Sequence, residues 1–366
     1  MAFDGITIAA MVQELNKNLG GGRFNKIAQP ETDELMITGK GAGGQRRLLL
    51  SASASLPLIY FTEKNKPSPM TAPNFCMLLR KHIGSARIFA IRQKGMERVV
   101  EFELEHLNEM GDPCRKFLIM ELMGKHSNII FCDDKYMILD SIKHVSSHMS
   151  SVREVLPGRE YFIPHTQDKL DPLTITEEQF METVFTRPCN LSKAIYTSLT
   201  GLSPVIAEEI CYRASIDGGD SPQALDETAR THLYHTFLRL MEQVKEGDFT
   251  PNIIYRGDEP VEYGVLPFQQ FGSEYRCETF DSVSSMLEAY YATKNTITRI
   301  RQKSSDLRRI VQTALERNRK KLSLQQKQMK DTAKKEKYKV YGELINTYGY
   351  GLEEGCKSFQ ALNYYT

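Results

Sequence analysis

Residues 93–106 read QKGMERVVEFELEH, a turn at Lys94-Gly95 that runs into a strand. From Met96 the even positions are Met96, Arg98, Val100, Phe102 and Leu104, and the odd positions carry Glu97, Val99, Glu101, Glu103 and Glu105. That is a period of two, the pattern of a half-buried strand. Arg98 then stands on the apolar side, where a guanidinium needs a carboxylate, a phosphate or an escape to solvent. Outward from this hairpin, SARIFAIRQ precedes it, and RKFLIMELM, SNIIFCDD and KYMILDSIKHV follow as further antiparallel strands. Upstream, RFNKIAQP, DELMITGK, RRLLLSAS and PLIYFTE are short strands separated by turn residues, among them GKGAGG at 39–44. Two helices accompany the strands. In one, Ile8, Met11, Val12, Leu15 and Leu19 fall at helical spacing before GGG at 20–22. In the other, NFCMLLRKHIG, residues Phe75, Leu78, Leu79 and His82 share a face. The fold class of this part is α+β with an antiparallel sheet.

Three prolines in VLPGREYFIPHTQDKLDPL, 155–173, mark a boundary, after which the periodicity is helical. SKAIYTSLTGLSPVIAEEICYRA contains a helix, a turn at 200–204 and a second helix with Ser203 as N-cap and Pro204 at its first position. This is a helix-hairpin-helix pattern. Residues 252–280 return to strand, and a helix begins at Asp281 or Ser282. The expected domains are 1–170, 171–250, a segment 251–293 that returns to the first domain, and 294–366.

The 366 residues carry a net charge of only +1, yet Lys294 to Lys339 hold 16 Lys and Arg against 4 Asp and Glu. That stretch is +12 and the remainder −11, a segregation that points to a polyanionic partner, nucleic acid first. With no Pro, and no Gly before Gly342, residues 294–345 fit one helix of about 52 residues, roughly 78 Å long. Ile300, Leu307, Val311 and Ala314 keep a heptad seam that shifts phase to Leu322 and Met329. An antiparallel partner helix is expected and does not follow, so the chain reads as truncated inside a coiled coil. No apolar run approaches the roughly 18 residues of a membrane span, and the N-terminus lacks the form of a signal peptide. Seven scattered cysteines without a CxxC pair argue against a metal or disulfide framework and for a reducing cytoplasm.

Several local features bear on function. The hairpin turn at 200–204 can direct backbone N–H groups at a phosphate, or simply join packed helices. Gly124, Lys125, His126, Ser127 and Asn128 form a polar turn that can bind phosphate, more often only a turn. Asp4 can cap the first helix. Glu97 and Arg98 would face opposite sides of a regular strand, but an irregular start would let both project at one mouth.

MAFDGITIAAMVQELN, NFCMLLRKHI, GMERVV, IMELMGKHSNIIF, LPGREYF, LTGLSPVIAEEI, FDSVSSMLEAYY and the long basic helix occur in the order seen in the NFACT family, which the chain resembles over essentially its whole length. The resemblance implies a ribosome-associated quality-control factor without cofactor or catalytic residue. Such a factor binds large ribosomal subunits that still carry peptidyl-tRNA, contacts rRNA, and recruits tRNA, alanyl-tRNA in bacteria. It thereby promotes C-terminal tailing of the stalled chain by the ribosome's own peptidyl-transferase centre. The family's Asp-Arg pair for tRNA recruitment falls on Glu97 and Arg98, with Glu in place of Asp, and its N-terminal acidic residue falls on Asp4. Arg46, Arg47, Arg80, Lys81, Lys125, His126 and Gly201 are the candidate RNA-backbone contacts. The N-terminal domain also resembles that of formamidopyrimidine-DNA glycosylases, whose N-terminal proline nucleophile is replaced here by Ala2. The competing classes are a fibronectin-binding surface adhesin, which an older family name suggests, and a DNA-binding or DNA-repair protein.

Overall fold

Asp4 opens the first helix by accepting a 2.9 Å hydrogen bond from the Thr7 N–H, so α1 runs Gly5–Leu19. Its stop is built from glycine: Gly20 closes the last turn and Gly21 takes φ +70°. The computed structural model describes residues 3–108, 110–164 and 168–365, with side chains described outside 294–306. Ala2 and the Ile300 side chain therefore lie outside the described residues.

The two expected runs of strands merge into one antiparallel sheet. β1 (Arg23–Glu31), β2 (Glu34–Gly41), β3 (Gly44–Ala52) and β4 (Pro57–Phe61) form the first meander. After α2 (Asn74–Ile83), a second meander follows: β5 (Arg87–Gln93), β6 (Val99–Leu107), β7 (Pro113–Glu121), β8 (Asn128–Cys132) and β9 (Ile138–Ser141). The nine strands are ordered β4-β3-β2-β1-β5-β6-β7-β8-β9, and the Arg23–Arg87 pairing joins the two halves. The buried face of α2 is Phe75, Cys76, Leu79 and Ile83, one step round from the expected stripe, leaving Leu78 and His82 half-buried.

β6 departs from the half-buried pattern. Every residue from Val99 to Leu104 is buried. Val100, Phe102 and Leu104 face the main core with Leu15, Leu19 and Phe24. Val99 meets Ile119, Ile130 and Tyr161 on the other side. Glu101 and Glu103 share that second side but are not solvated. Glu101 accepts from Lys94 Nζ at 3.0 Å and from the Tyr136 hydroxyl at 3.0 Å, and Glu103 accepts from Arg92 and Arg115 at 2.6 Å each. Ionic neutralisation makes a strand of alternating glutamates compatible with burial, which periodicity alone does not reveal.

The helical part comprises α3 (Glu177–Val184), α4 (Leu191–Ser198), α5 (Pro204–Arg213) and α6 (Glu227–Glu246), and shares the main core through Phe180, Leu233 and Phe237. A second sheet, β11 (Glu259–Gly264), β10 (Asn252–Arg256) and β12 (Arg276–Thr279), leads to α7 (Val283–Tyr348). At 66 residues α7 exceeds the expected length, because the helix starts before the basic stretch and absorbs Gly342. Its first turn is held by Glu14, whose Oε2 accepts from the N–H groups of Val283 and Ser284. Met286, Leu287 and Tyr290 are buried.

The chain divides into compact units at Met1–Lys294 and Asn295–Thr366. Within the second, the described seam residues Leu307, Val311, Leu322 and Met329 are all exposed. Near the end of α7, the Thr347 hydroxyl lies 3.4 Å from that of Tyr364.

A close contact ties the helical hairpin to α1 and to the turn between β5 and β6. Gly5 N–H donates to the Gly201 carbonyl at 2.8 Å, and a Cβ at Gly201 would sit 2.2 Å from the Met96 oxygen. Gly201 also has φ +75°, so it must be glycine on two counts. Gly44 has φ +82°, but a Cβ there would meet nothing within 4 Å. Gly44→Ala is therefore expected to cost about 1–2 kcal/mol from backbone conformation alone. Gly201→Ala is expected to cost about 1–3 kcal/mol more from steric overlap. Urea unfolding of both variants checks the difference; equal losses would remove the crowded junction as the cause.

Candidate functional site

β6 begins at Val99, so Glu97 and Arg98 lie in the turn that enters it rather than on the regular strand. Gly95 makes the turn possible with φ +55°, and the Glu97 N–H closes it onto the Lys94 carbonyl at 3.1 Å. The alternation that would send the two side chains to opposite faces does not apply. Both are half-buried, and both belong to one electrostatic neighbourhood with Asp4. Burial draws the Arg98 guanidinium below its ordinary value, and the carboxylates of Glu97 and Asp4 oppose that shift.

The turn is locked from three directions. Gln93 Nε2 donates to the Gly5 carbonyl at 2.9 Å and to the Glu97 carbonyl at 3.0 Å, tying the turn to the first residue of α1. The Leu122 N–H donates to the Arg98 carbonyl at 2.9 Å, extending the β6–β7 ladder past its end. The hairpin between α4 and α5 presses Gly201 onto Met96 from the other side.

Asp4 does more than cap a helix. Its Oδ1 accepts from the Thr7 N–H at 2.9 Å and the Thr7 hydroxyl at 3.0 Å, while Oδ2 accepts from the Ser203 hydroxyl at 2.6 Å. Ser203 has the backbone of an N-cap for α5, yet its side chain makes no cap bond and serves Asp4 instead. Burial raises the Asp4 carboxyl above its ordinary value, and the bonds from Ser203 and Thr7 pull it back.

Asp4, Glu97, Arg98 and Gly201 thus meet at one junction. The other candidates stand apart in the fold. Arg46 and Arg47 are on β3, where Arg46 lies 3.8 Å from Glu63 and Arg47 donates to the Glu63 carbonyl at 2.7 Å. Arg80 and Lys81 are in the last turn of α2, and Arg80 Nε donates to the Ile27 carbonyl at 2.7 Å. Lys125 and His126 are exposed on the short 3-10 turn Gly124–His126 that follows β7.

Three participants carry no signal in the sequence: Gln93, Ser203 in its role toward Asp4, and Lys169. Lys169 donates to the Tyr196 carbonyl at 2.9 Å. Burial and the Arg98 guanidinium draw its ammonium below the ordinary value, and Glu97 opposes them. A cavity of about 690 Å³ lies elsewhere, between α1 and the start of α7. Glu14 already occupies the helix N-terminus there. Among the described residues no group of three or more His, Cys, Asp or Glu is placed to hold a metal ion, and no helix is long and apolar enough to cross a membrane.

Residues 4–366 match the family model described as NFACT N-terminal and middle domains. The chain belongs to the NFACT family. The Rqc2 homolog RqcH of Bacillus subtilis (strain 168) is 34% identical over 366 residues, covering 100% of this chain and 62% of its own length. The human ribosome quality control complex subunit NEMF is 27% identical over 217 residues, 59% of this chain and 19% of that protein. Among solved structures, the N-terminal part of the fibronectin/fibrinogen-binding protein from Streptococcus suis aligns with a TM-score of 0.65 at 31% identity. It covers 79% of this chain and 99% of that one. The fibrinogen binding protein from Staphylococcus aureus aligns with a TM-score of 0.68 at 28% identity, over 80% of this chain and 99% of that one. The chain spans about 62% of the length of the Bacillus relative.

Asp4 sets a testable pH dependence. A carboxyl raised on folding binds a proton more tightly in the native than in the unfolded chain. Its contribution to stability is therefore greatest at low pH, and declines as pH rises from 3.8 through the raised native value. Asp4→Asn keeps acceptors for Thr7 and a partner for Ser203. It is expected to flatten that decline while leaving stability near neutral pH equal to or above wild type. Asp4→Ala is expected to lose about 2–4 kcal/mol through the missing cap and the orphaned Ser203 hydroxyl. Urea midpoints across pH 3 to 8, roughly the range where carboxyl linkage acts, distinguish the cases; an unchanged slope in Asp4→Asn would remove Asp4 as the linked group.

Proposed function

We propose that this protein acts in ribosome-associated quality control. It binds large ribosomal subunits carrying peptidyl-tRNA and recruits tRNA, alanyl-tRNA by family resemblance, for mRNA-independent C-terminal tailing of stalled nascent chains. The ribosome forms the bonds, and the protein positions the substrate as an adaptor in the cytoplasm. The observation that carries this reading is the whole-chain match to relatives named Rqc2 homolog RqcH. The site geometry supplies a physical means. Arg98 projects from a turn that is pinned on three sides, so little conformational entropy is lost when a phosphate or base edge engages it. The half-buried setting strengthens such a contact relative to one in free solvent.

The basic part of α7 supports the same reading through a second mode. Sixteen Lys and Arg between Lys294 and Lys339 favour a polyanion without regard to sequence, as contacts to rRNA or tRNA backbone require. Its exposed Leu307, Val311, Leu322 and Met329 favour a further helical arm as the packing partner in a coiled coil.

The reading predicts that the protein co-sediments with large subunits and retains tRNA, with affinity falling steeply as salt rises. Arg98→Ala is expected to weaken tRNA retention by about 10- to 100-fold, the loss typical of a charged hydrogen-bonding partner. Sedimentation with a normal profile on large subunits but without tRNA would place the defect at this site. Full tRNA retention and tailing by Arg98→Ala would refute the assignment. Protease accessibility on intact cells separates this reading from a surface adhesin.

A further inference from the structure

The main-core face of β6 and β7 turns polar toward the tip of their hairpin. Val100, Phe102 and Leu104 on β6, and Leu118 and Met120 on β7, are buried in that core. Strand alternation puts His106, Cys114 and Lys116 next on the same face, with His106 opposite Cys114 and Leu104 opposite Lys116. All three are half-buried, as is His82 in the last turn of α2, whose ring centroid lies 6.3 Å from that of His106. We propose that this four-residue cluster is a thiol-modification site, at which Cys114, activated by His106, exchanges with a small disulfide bearing carboxylates and Lys116 attracts one of those carboxylates. The proposal goes beyond the RNA-binding reading and does not depend on it.

The pairing of nucleophile and base comes first. Cys114 Sγ lies 3.0 Å from His106 Nε2 and 3.6 Å from Nδ1, against the nitrogen-bearing side of the ring. Nδ1 is 3.0 Å from the Leu107 carbonyl, which can only accept, so Nδ1 carries the ring proton and Nε2 is left to receive one. Burial draws the imidazole below its ordinary value; the Leu107 bond opposes that shift and the charge of Lys116 adds to it. The ring is thus neutral at rest. Once it takes the thiol proton, an imidazolium faces a thiolate at contact distance, the arrangement that activates cysteines elsewhere.

The charge of the cluster selects the partner. Lys116 Nζ donates to His82 Nδ1 at 3.4 Å, and among the described residues no carboxylate pairs with it. The nearby Glu103 is spent on Arg92 and Arg115 on the other side of the sheet. A half-withdrawn ammonium with an imidazole as its neighbour favours an anionic ligand over a neutral one.

The remaining thiols provide the contrast. Cys76, Cys132 and Cys211 are buried, and burial pushes Cys132 and Cys211 up to about 12. Cys277 and Cys356 are exposed, but Cys356 Sγ donates to the Ser358 carbonyl at 3.1 Å, an acceptor that does not take the proton away. Accessibility and a base coincide at Cys114.

The exchange balances without a further reagent. The Cys114 proton passes to His106 Nε2, the sulfur attacks one sulfur of the incoming disulfide, and the S–S bond of that disulfide breaks. The departing thiolate recovers the proton from His106. One protein mixed disulfide and one small thiol result, the incoming disulfide being the oxidant.

The test incubates the intact protein near neutral pH with oxidised glutathione, which carries carboxylates, or with the uncharged disulfide of 2-mercaptoethanol. Peptide mass spectrometry then follows each cysteine. An unassisted thiol is only a few per cent thiolate under these conditions, so Cys114 is expected to react about 10- to 30-fold faster than Cys277 and Cys356. His106→Gln is expected to bring Cys114 down to their rate, and added imidazole to recover part of the loss, which a merely structural role would not allow. Lys116→Met is expected to slow the reaction with oxidised glutathione about fivefold, the worth of one unit charge at contact in water, and to leave the uncharged reagent unaffected. Equal rates at Cys114 and Cys277 in wild type would overturn the proposal whether or not the variants fold. Labelling of the buried Cys76, Cys132 and Cys211 reports folding in each sample. With those three unlabelled, a fast Cys114 in His106→Gln would remove the base, and equal losses with both reagents in Lys116→Met would remove the anion contact; either result overturns the assignment.

Discussion

The buried carboxylate of Asp4 is the constraint on which the rest of the site depends. One oxygen starts α1 and the other receives the Ser203 hydroxyl from the hairpin, so a single side chain joins sequence positions 199 residues apart. Around it the backbones of Gly5, Met96 and Gly201 approach so closely that a Cβ at Gly5 or Gly201 would collide with the Met96 carbonyl. Hydrogen bonding explains why the acid is tolerated there, and glycine explains why the elements can come so near. The turn bearing Glu97 and Arg98 inherits its position from this junction, because Met96 is one of the three backbones that compose it.

That arrangement gives the helical hairpin a role different from the one its local pattern suggests. A helix beginning Ser-Pro ordinarily keeps its N-cap hydroxyl for its own first turn. Here the hydroxyl turns to Asp4, and the Gly201 carbonyl to Gly5. The hairpin therefore faces the sheet and holds the β5–β6 turn in place. Lys169 completes this support by packing onto the Tyr196 carbonyl at the end of α4 while remaining within electrostatic reach of Arg98.

Much of the fold was legible in the residue pattern. The strand runs, α1 with its glycine stop, and the Ser203–Pro204 start of α5 all follow from local chemistry, which acts over a few residues. What escaped depends on contacts remote in sequence. Nothing in β1 or β5 announces that Arg23 pairs with Arg87 and fuses two meanders into one sheet. Glu101 and Glu103 have the pattern of a solvated face because their partners, Lys94, Arg92 and Arg115, come from other strands and turns. For the site, Arg98 stood out as a cation in an apolar pattern, and family resemblance added Asp4. Phe162 is only part of a proline-bounded connection in the sequence, since the cleft it lines beside Glu97 exists only after Tyr161 is brought to Tyr136 and Glu121.

Glu97 stands where the family resemblance implies an aspartate, and its backbone is fixed at both polar groups: the Glu97 N–H reaches Lys94 and its carbonyl receives Gln93. An extra methylene therefore cannot be absorbed by a shift of the chain, and must extend the carboxylate away from the turn. Arg98 lies within electrostatic reach of Asp4 and Lys169, while Glu97 also borders the cleft of Phe162. A longer side chain at this position lengthens the reach of the carboxylate without loosening the turn that presents Arg98. The two members of the pair differ in their surroundings: Arg98 shares the electrostatic neighbourhood of Asp4 and Lys169, and Glu97 also lines the cleft beside Tyr136.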